Sequence, residues 1–293
     1  MPIKKQAVLL YRRFLQNTAK LRGVDFLAGK LDAKRLDAVI RQNRQALAAV
    51  PDWLPAGLVA NSVFRYGVNP DVEPLLNLPL DGDCTHTDLL AYFGQTAREP
   101  LKYLELGVSV GKTFWQVLNT CAPAECWAFD IEEMNPALKS RLVEQSRQEW
   151  SGPPDSIKKT PSSISRFVHP ATGNTVVYIC ADIFDPKAWQ LLAGQNFNLV
   201  LSDALHTPEA LAFEWKQMTT ANIFNPREAV IMWDDLDGGM RDWFHSHRPA
   251  MAAHFGIGLE KVGTLYMNGW LGRREFPHRL GLALKKSAAG QTL

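Results

Sequence analysis

The second half of the chain alternates short apolar runs with longer amphipathic stretches, and this alternation limits the fold more than any other feature. The apolar runs are 5–7 residues long, which suits strands, and the stretches between them suit helices. Strands that alternate with helices form a parallel sheet with both faces covered. The predicted strands are residues 103–107, 126–130, 176–182, 197–203 and 229–235, and the predicted helices lie near 112–121, 136–149, 186–193, 208–220 and 238–254.

Two further apolar runs, residues 259–267 and 279–286, have no helix between them and predict a C-terminal antiparallel hairpin. The expected fold is therefore α/β, a doubly wound sheet of seven mostly parallel strands that ends in this hairpin. Residues 151–173, rich in Pro, Ser and Thr, stand where a connection is normally 2–6 residues long. We expect this insertion to form a lid or an added hairpin.

The N-terminal part differs in charge from the rest. Residues 1–50 carry 11 lysines and arginines against three aspartates, whereas the whole chain has a net charge of only +2. Helical spacing of apolar residues begins at Ile3, and Asp32 is placed to cap a second helix that ends near residue 49. We predict a helical N-terminal extension or cap over residues 1–98, followed by the α/β domain over 99–293.

Three roles remain open for the basic segment of residues 1–50. In the first, the segment forms a helical cap over a substrate site. Because a second copy of the chain contributes such a cap in some arrangements, we also expect a homo-oligomer through these helices. It is alternatively a patch for an anionic substrate, a carrier protein or RNA. The third alternative is a solvated basic face that only packs. A mitochondrial transit peptide matches the charge pattern loosely.

Composition excludes several classes of protein. With 46% apolar and 21% charged residues, the chain has the make-up of a globular protein. No apolar run approaches the 18 residues of a membrane span, and the small net charge argues against a dedicated nucleic-acid binder. The four cysteines form no C-x-x-C pair, which predicts reduced thiols and a cytoplasmic location.

Acidic residues end four successive predicted strands. Ligands of open α/β sheets bind beyond the carboxyl ends of the strands, so these acids are candidate site residues. An aspartate at such a place often only caps the next helix, but capping does not explain two adjacent aspartates after one strand. The acids are Asp130, Asp182, Asp203, Asp234 and Asp235.

The first strand runs into a glycine turn, Glu105-Leu-Gly107-Val-Ser109-Val-Gly111. Glycines at a strand-to-helix turn let the backbone approach a ligand closely, and the helix start offers free N–H groups. A phosphate-binding P-loop needs four residues between its glycines before the Lys-Thr pair, and only three stand here. The dinucleotide fingerprint also fails, because Ser109 occupies the position of its second glycine.

With these motifs the chain resembles the class I S-adenosylmethionine (SAM)-dependent methyltransferases, which have a Rossmann-like sheet. Within them it looks like the metal-dependent O-methyltransferases of the catechol and macrocin types. The resemblance covers about residues 99–286. It implies a set of SAM-binding residues. In this set Glu105 lies near the methionine amino group, Asp130 contacts the ribose hydroxyls and Asp182 lies next to the adenine. That set is Glu105, Gly107, Ser109, Gly111, Asp130, Asp182 and Asp203.

The same resemblance implies a metal site and a general base. Asp203, Asp234 and Asp235 match the residues that bind Mg²⁺ or another divalent cation, and carboxylates are the ligands such hard cations prefer. His206, three residues after Asp203, matches the base. The implied activity is metal-assisted O-methylation of a small-molecule hydroxyl, as in natural product biosynthesis. The alternatives are a P-loop-like nucleotide hydrolase and a catalytically silent SAM-binding protein.

Overall fold

The computed structural model describes residues 31–80, 83–158, 160–272 and 277–285. They form one nine-stranded sheet in the order β3-β4-β5-β2-β1-β6-β7-β9-β8. The strands are β1 (Leu101–Leu106), β2 (Ala124–Asp130), β3 (Val143–Trp150), β4 (Ser162–Val168), β5 (Thr175–Cys180), β6 (Leu199–Ser202), β7 (Ala229–Trp233), β8 (Val262–Asn268) and β9 (Pro277–Lys285).

Eight α-helices connect or precede these strands within the described residues. Short 3-10 helices also occur at Arg65–Gly67, Glu73–Leu75 and Leu259–Lys261. The α-helices are α1 (Ala33–Ala48), α2 (Ala56–Asn61), α3 (His86–Gln95), α4 (Lys112–Thr120), α5 (Pro136–Lys139), α6 (Pro186–Leu192), α7 (Pro208–Thr220) and α8 (Gly238–Phe255).

The predicted parallel sheet and its terminal hairpin are confirmed. Strands β5, β2, β1, β6 and β7 are mutually parallel, and β9 pairs antiparallel with both β7 and β8. Neighbouring side chains on β1 enter different layers: Tyr103 packs with residues of α3 and α4, and Leu104 packs with residues of α6 and α7. Period-two alternation on a strand with both faces covered produces this division.

The predicted strand count of seven and the predicted helix over 136–149 are both wrong. Only Pro136–Lys139 is helical, and Val143–Trp150 forms the edge strand β3, which pairs antiparallel with β4. Between Val143 and Trp150 the sequence has no apolar residue and therefore no helical stripe to bury. The charged side chains of β3 are exposed, as expected of an edge strand protected against further pairing. The 151–173 insertion thus supplies β4, an added hairpin strand.

Of the helices before β1, α3 packs on the sheet, and α1 packs on α3 and α4. Asp32 caps α1 as predicted, accepting a hydrogen bond from the N–H of Arg35. The indole of Trp115 in α4 donates to the carbonyl of Ala46 in α1. The helix predicted from Ile3 lies outside the described residues, so the helical N-terminal extension is not confirmed as predicted. The domain boundary near residue 98 stays a prediction.

Buried polar contacts fix where α3 begins. Thr85 and Asp88 form a capping box at its start, and Asp88 also accepts hydrogen bonds from Asn43 and Arg44 of α1. Thr85 forms an isolated bridge with Asn268 at the end of β8. The first turn of α3 is therefore held against the β8–β9 hairpin.

In the part of the chain that the structure describes, no helix combines the length and apolar character of a membrane span.

Candidate functional site

One large cleft opens at the carboxyl edge of the parallel strands, with a volume of about 1590 Å³. Seven of the residues predicted from the sequence line it, which places the predicted cofactor turn, strand-end acids and base on one wall. Glu105, Gly111 and Asp234 do not line it. The seven are Gly107, Ser109, Asp130, Asp182, Asp203, His206 and Asp235.

The turn after β1 requires glycine at Gly107. Its φ is +79°, and a Cβ there would lie 2.2 Å from the carbonyl oxygen of Asp203. Ser109 also has a positive φ of 53°, and its hydroxyl donates to the carbonyl of Tyr66 at 2.6 Å. The turn is therefore pressed against the strand end that carries Asp203, and its strained backbone is a mark of a functional loop.

Asp130, at the end of β2, holds this turn in place. One of its carboxylate oxygens accepts the N–H groups of Val108 at 2.6 Å and Ser109 at 2.9 Å. The other oxygen accepts the N–H of Glu132 at 2.9 Å. Burial raises the pKa of Asp130, and these three backbone donors oppose that shift. The side chain is thus preorganised on the cleft wall, where the ribose contact implied by the resemblance stays a prediction.

Two predicted cofactor residues, Glu105 and Gly111, do not line the cleft. Glu105 is 1% exposed and accepts a hydrogen bond from the hydroxyl of Tyr103, and burial raises the pKa of its carboxyl well above the usual range. Gly111 begins α4 with φ +90°; a Cβ there would lie 2.9 Å from the side chain of Leu138. The N–H of Gly111 donates to the carbonyl of Val108 at 2.9 Å within the turn.

Asp182, which follows β5 and lines the cleft, is hydrogen-bonded to the inserted segment. Its carboxylate accepts hydrogen bonds from the Ser156 hydroxyl at 2.7 Å and from the N–H of Ile157 at 3.3 Å, and from the N–H of Phe184 at 3.0 Å. Ile157 and Phe184 both line the cleft. The insertion therefore contributes a wall of the cleft through Asp182.

Glu132 is a site residue that the sequence analysis missed. Its carboxylate is 8% exposed and accepts hydrogen bonds from the Ser62 hydroxyl and the N–H groups of Phe64 and Tyr66. The connector of residues 64–72 supplies seven of the residues that line the cleft. Nothing in the local spacing signalled this contact, because it joins residues almost seventy positions apart.

His206 lies between two carboxylates. Its Nε2 is 3.0 Å from Asp203 Oδ1, and its Nδ1 is 3.5 Å from Asp235 Oδ2. Burial works to lower the pKa of His206, but the hydrogen bond and charge of Asp203 outweigh it and raise the pKa to about 9. Burial raises the pKa of Asp203 to about 7. The imidazole therefore holds a proton for as long as no cation neutralises these carboxylates.

Asp234 turns away from the cleft toward two histidines that the sequence analysis did not select. Its side chain is 1% exposed, and both its oxygens lie 2.8 Å from Nδ1 of His278. Nδ1 of the fully buried His86 lies 3.8 Å from Asp234 Oδ2. Burial lowers the pKa of His86 to about 4. Of the three carboxylates predicted to bind Mg²⁺, Asp203 and Asp235 therefore line the cleft beside His206, and Asp234 lies behind them between His86 and His278.

The surroundings of Lys112 do not fit a P-loop. Lys112 is 3% exposed, and its Nζ donates to the carbonyl of Leu76 at 2.9 Å. The hydroxyl of Thr113 lies 3.2 Å from that of Thr87. In a P-loop the equivalent lysine and threonine reach phosphate and Mg²⁺. Here both side chains serve packing, so the geometry disfavours a nucleotide hydrolase.

A buried glutamate beneath the site gives a testable pH dependence. Glu214 of α7 is 1% exposed, accepts a hydrogen bond from Ser202, and has its pKa raised by burial from 4.5 to about 7. Because the folded state holds this proton more tightly, stability falls as the pH rises from about 4.5 to 7. We expect Glu214→Gln to raise the free energy of unfolding by about 1–3 kcal/mol at pH 8 and less at pH 5.

Urea denaturation at both pH values measures this difference. Glu209→Gln, an exposed change on the same helix, is the matched control and should leave the free energy of unfolding unchanged at either pH. An equal effect of Glu214→Gln at pH 5 and pH 8 would contradict the assignment.

No protein-family model matches the chain, and no curated protein matches it. Solved structures do match, among them the O-methyltransferase TomG from Streptomyces achromogenes, involved in tomaymycin synthesis, in complex with SAM. It is 14% identical over 83% of this chain and 90% of that chain, with a TM-score of 0.46. The SAH-bound methyltransferase PaMTH1 from Podospora anserina is 12% identical over 80% and 89%, with a TM-score of 0.41.

The MycE methyltransferase from the mycinamycin biosynthetic pathway, in complex with Mg and SAH, is 11% identical over 70% of this chain, with a TM-score of 0.38. This chain matches 46% of that one. The chain is thus similar in structure to SAM-dependent methyltransferases.

Proposed function

We propose that this protein is a SAM-dependent methyltransferase that methylates a hydroxyl of a small molecule with the help of a divalent cation. The observation that carries the proposal is the cleft itself. It brings the glycine turn at Gly107 together with His206 and two carboxylates, Asp203 and Asp235. A cofactor turn and a proton acceptor on one wall are the parts that methyl transfer to oxygen requires.

The size and charge of the cleft support a cationic cofactor beside a second small molecule. Typical ligand pockets hold about 300–1,000 Å³, so a cleft of about 1590 Å³ has room for both. Of the described residues that line it, seven carry a carboxylate and none is a lysine or arginine. This charge attracts a sulfonium or a metal ion and repels the phosphates of a nucleic acid.

The acceptor side of the cleft is apolar and aromatic. Met240 of α8, Tyr266 of β8 and Trp270 line it, and these elements flank Asp235 and His278. Aromatic walls with a few placed polar groups are typical of pockets for small organic ligands. We therefore assign the acceptor to the class of phenols and hydroxylated natural products.

Each residue of the site has a role that its contacts support. When bound, SAM supplies an activated methyl group, and a cation held by Asp203, Asp234 and Asp235 supplies positive charge beside the acceptor oxygen. Asp203 orients His206 through Nε2, which leaves Nδ1 to take the acceptor proton. The glycine turn and the strand ends hold the two reactants near each other, which is the larger share of catalysis in such a transfer.

The proposal is tested by turnover with a panel of phenols, catechols and sugars. Purified protein, freed of metal with EDTA, is incubated with SAM and each acceptor, with and without added divalent cation, and SAH and methylated product are measured. We expect product only when acceptor and cation are both present. We expect Asp203→Asn to lower kcat/KM by at least about 10-fold, and the exposed Asp242→Asn to leave it unchanged.

Each contrary result overturns a stated part of the proposal. Full activity of Asp203→Asn in EDTA would show that no cation takes part in the transfer. Tight SAM binding without transfer to any acceptor of the panel favours a catalytically silent binding protein. ATP hydrolysis without SAM binding favours the nucleotide hydrolase.

A further inference from the structure

The residues around Asp234 do not match a site built for Mg²⁺. Magnesium prefers oxygen ligands in proteins, whereas imidazole nitrogen suits zinc, iron, copper and nickel. Asp234 has two imidazoles beside it, those of His86 and His278. One donor atom from each of these three side chains lies within 4.8 Å of the other two. Two histidines and one carboxylate are a recurring ligand set for transition metals.

An independent observation is the state of His86. Its side chain is fully buried, and among the described residues neither ring nitrogen has a hydrogen-bond partner. Buried polar groups without partners are rare and destabilising. Asp234 Oδ2 lies 3.8 Å from Nδ1 of His86, which is too long for a hydrogen bond and suits two ligands of one ion. A bound cation satisfies both groups.

The position of His86 is fixed before any ion binds. It is the first residue of α3, whose start is held by the Thr85–Asp88 capping box and by the bridge from Thr85 to Asn268. Because β8 pairs with β9, the same contact brings His86 close to His278, with a distance of 5.6 Å between ring centroids. The site therefore joins α3, the end of β7 and the terminal hairpin.

His278 is also held in place, and it connects the three side chains to the cleft. His278 is 11% exposed and lines the cleft, so an ion can enter from there. Its ring lies over Gly269, where a Cβ would be 2.1 Å from Nε2. Its Nδ1 lies 2.8 Å from Asp234 and 3.0 Å from Asp235 Oδ1, so the two carboxylates hold the ring in place.

We propose that His86, Asp234 and His278 bind a first-row transition-metal dication of the Mn²⁺ to Zn²⁺ series in preference to Mg²⁺. The assignment rests on the proposed function only for the role of the ion, since Asp234 is shared with the cation of methyl transfer. Metal binding is measured without methyl donor or acceptor and is therefore decided separately.

Cobalt is the probe because Co²⁺ held by nitrogen and oxygen ligands absorbs visible light. EDTA-treated full-length protein is titrated with Co²⁺ in the absence of SAM. We expect one ion per chain, displaced by equimolar Zn²⁺ and retained in a large excess of Mg²⁺. His86→Ala and His278→Ala should each weaken Co²⁺ binding by more than about 100-fold, because even outer-shell partners are worth about 10–100-fold. His245→Ala, an exposed histidine of α8, should bind as the wild type does.

The variants are checked by circular dichroism. If His86→Ala is unfolded, His86→Asn and X-ray absorption at the cobalt edge of the wild type replace it, and imidazole scattering from two rings supports the proposal. Equal Co²⁺ binding by the wild type and both histidine variants overturns the proposal, as does equal competition by Mg²⁺. Metal binding without methyl transfer overturns only the proposed function, and methyl transfer without selective metal binding overturns only this site.

Discussion

We expect replacement of His206 with alanine to lower kcat for the proposed methyl transfer by about 10²–10⁴-fold, the range lost when a general base is removed. The expectation follows from the contacts of the imidazole, which lies between Asp203 and Asp235 on the cleft wall. SAM affinity should not change, because the glycine turn and Asp130 keep their mutual hydrogen bonds. The measurements are SAH release with the fastest acceptor of the panel and calorimetric titration with SAM.

The loss of a base and a loss of structure are separated by two controls. His245→Ala removes an exposed histidine of α8 and should keep full activity. Because proton removal by His206 competes with proton removal by hydroxide, activity of His206→Ala should recover at high pH more than that of the wild type does. Wild-type kcat in His206→Ala would show that the imidazole is not the proton acceptor.

The carboxyl-edge site could be predicted because parallel strands end in register. β1 and β6 pair with Leu106 beside Ser202, and β6 and β7 pair with Ser202 beside Trp233. The residues that follow these strand ends must therefore lie on one edge, whatever the rest of the chain does. The strand-end acids are predictable from the sequence for this reason, whereas His206 is implied only by the resemblance to the methyltransferases.

The edge strand β3 and the two imidazoles could not be predicted in the same way. Residues 143–150 have no pattern that favours a helix or a buried strand, and pairing with β4 decided their structure. His86 and His278 are 192 positions apart, and they meet only because Thr85 pairs with Asn268. Spacing along the chain carries no signal for such a contact, since it depends on tertiary packing.

The structure gives Asp130 a second role beside the predicted one. The resemblance implies a contact from Asp130 to ribose, and its carboxylate also accepts hydrogen bonds from the N–H groups of Val108 and Ser109 in the turn. Each carboxylate oxygen can accept more than one hydrogen bond, so clamping and ligand binding are compatible. The cofactor turn, the strand-end acids and the proposed base therefore form one connected unit, in which Gly107 is the point of closest approach.

Gly107→Ala should weaken SAM binding on the order of 100-fold, equivalent to about 2.8 kcal/mol. Two effects add at this position. A Cβ would lie 2.2 Å from the carbonyl oxygen of Asp203, and φ is +79°. Overpacking costs about 1–3 kcal/mol, and a left-handed backbone costs about 1–2 kcal/mol in a residue with a side chain. The turn must move away from Asp203, and Asp130 then loses its two donors in the turn.

Gly173→Ala separates these effects. Gly173 has nearly the same φ, +74°, and open space where its Cβ would lie, and it stands in the turn before β5, outside the cleft. It should lose about 1–2 kcal/mol of stability through backbone strain alone and bind SAM as the wild type does. Equal SAM affinity for Gly107→Ala and Gly173→Ala would show that the cofactor does not need this close approach. A loss confined to Gly107→Ala, with kcat lowered as well, would indicate that the same backbone contact positions both the cofactor and Asp203.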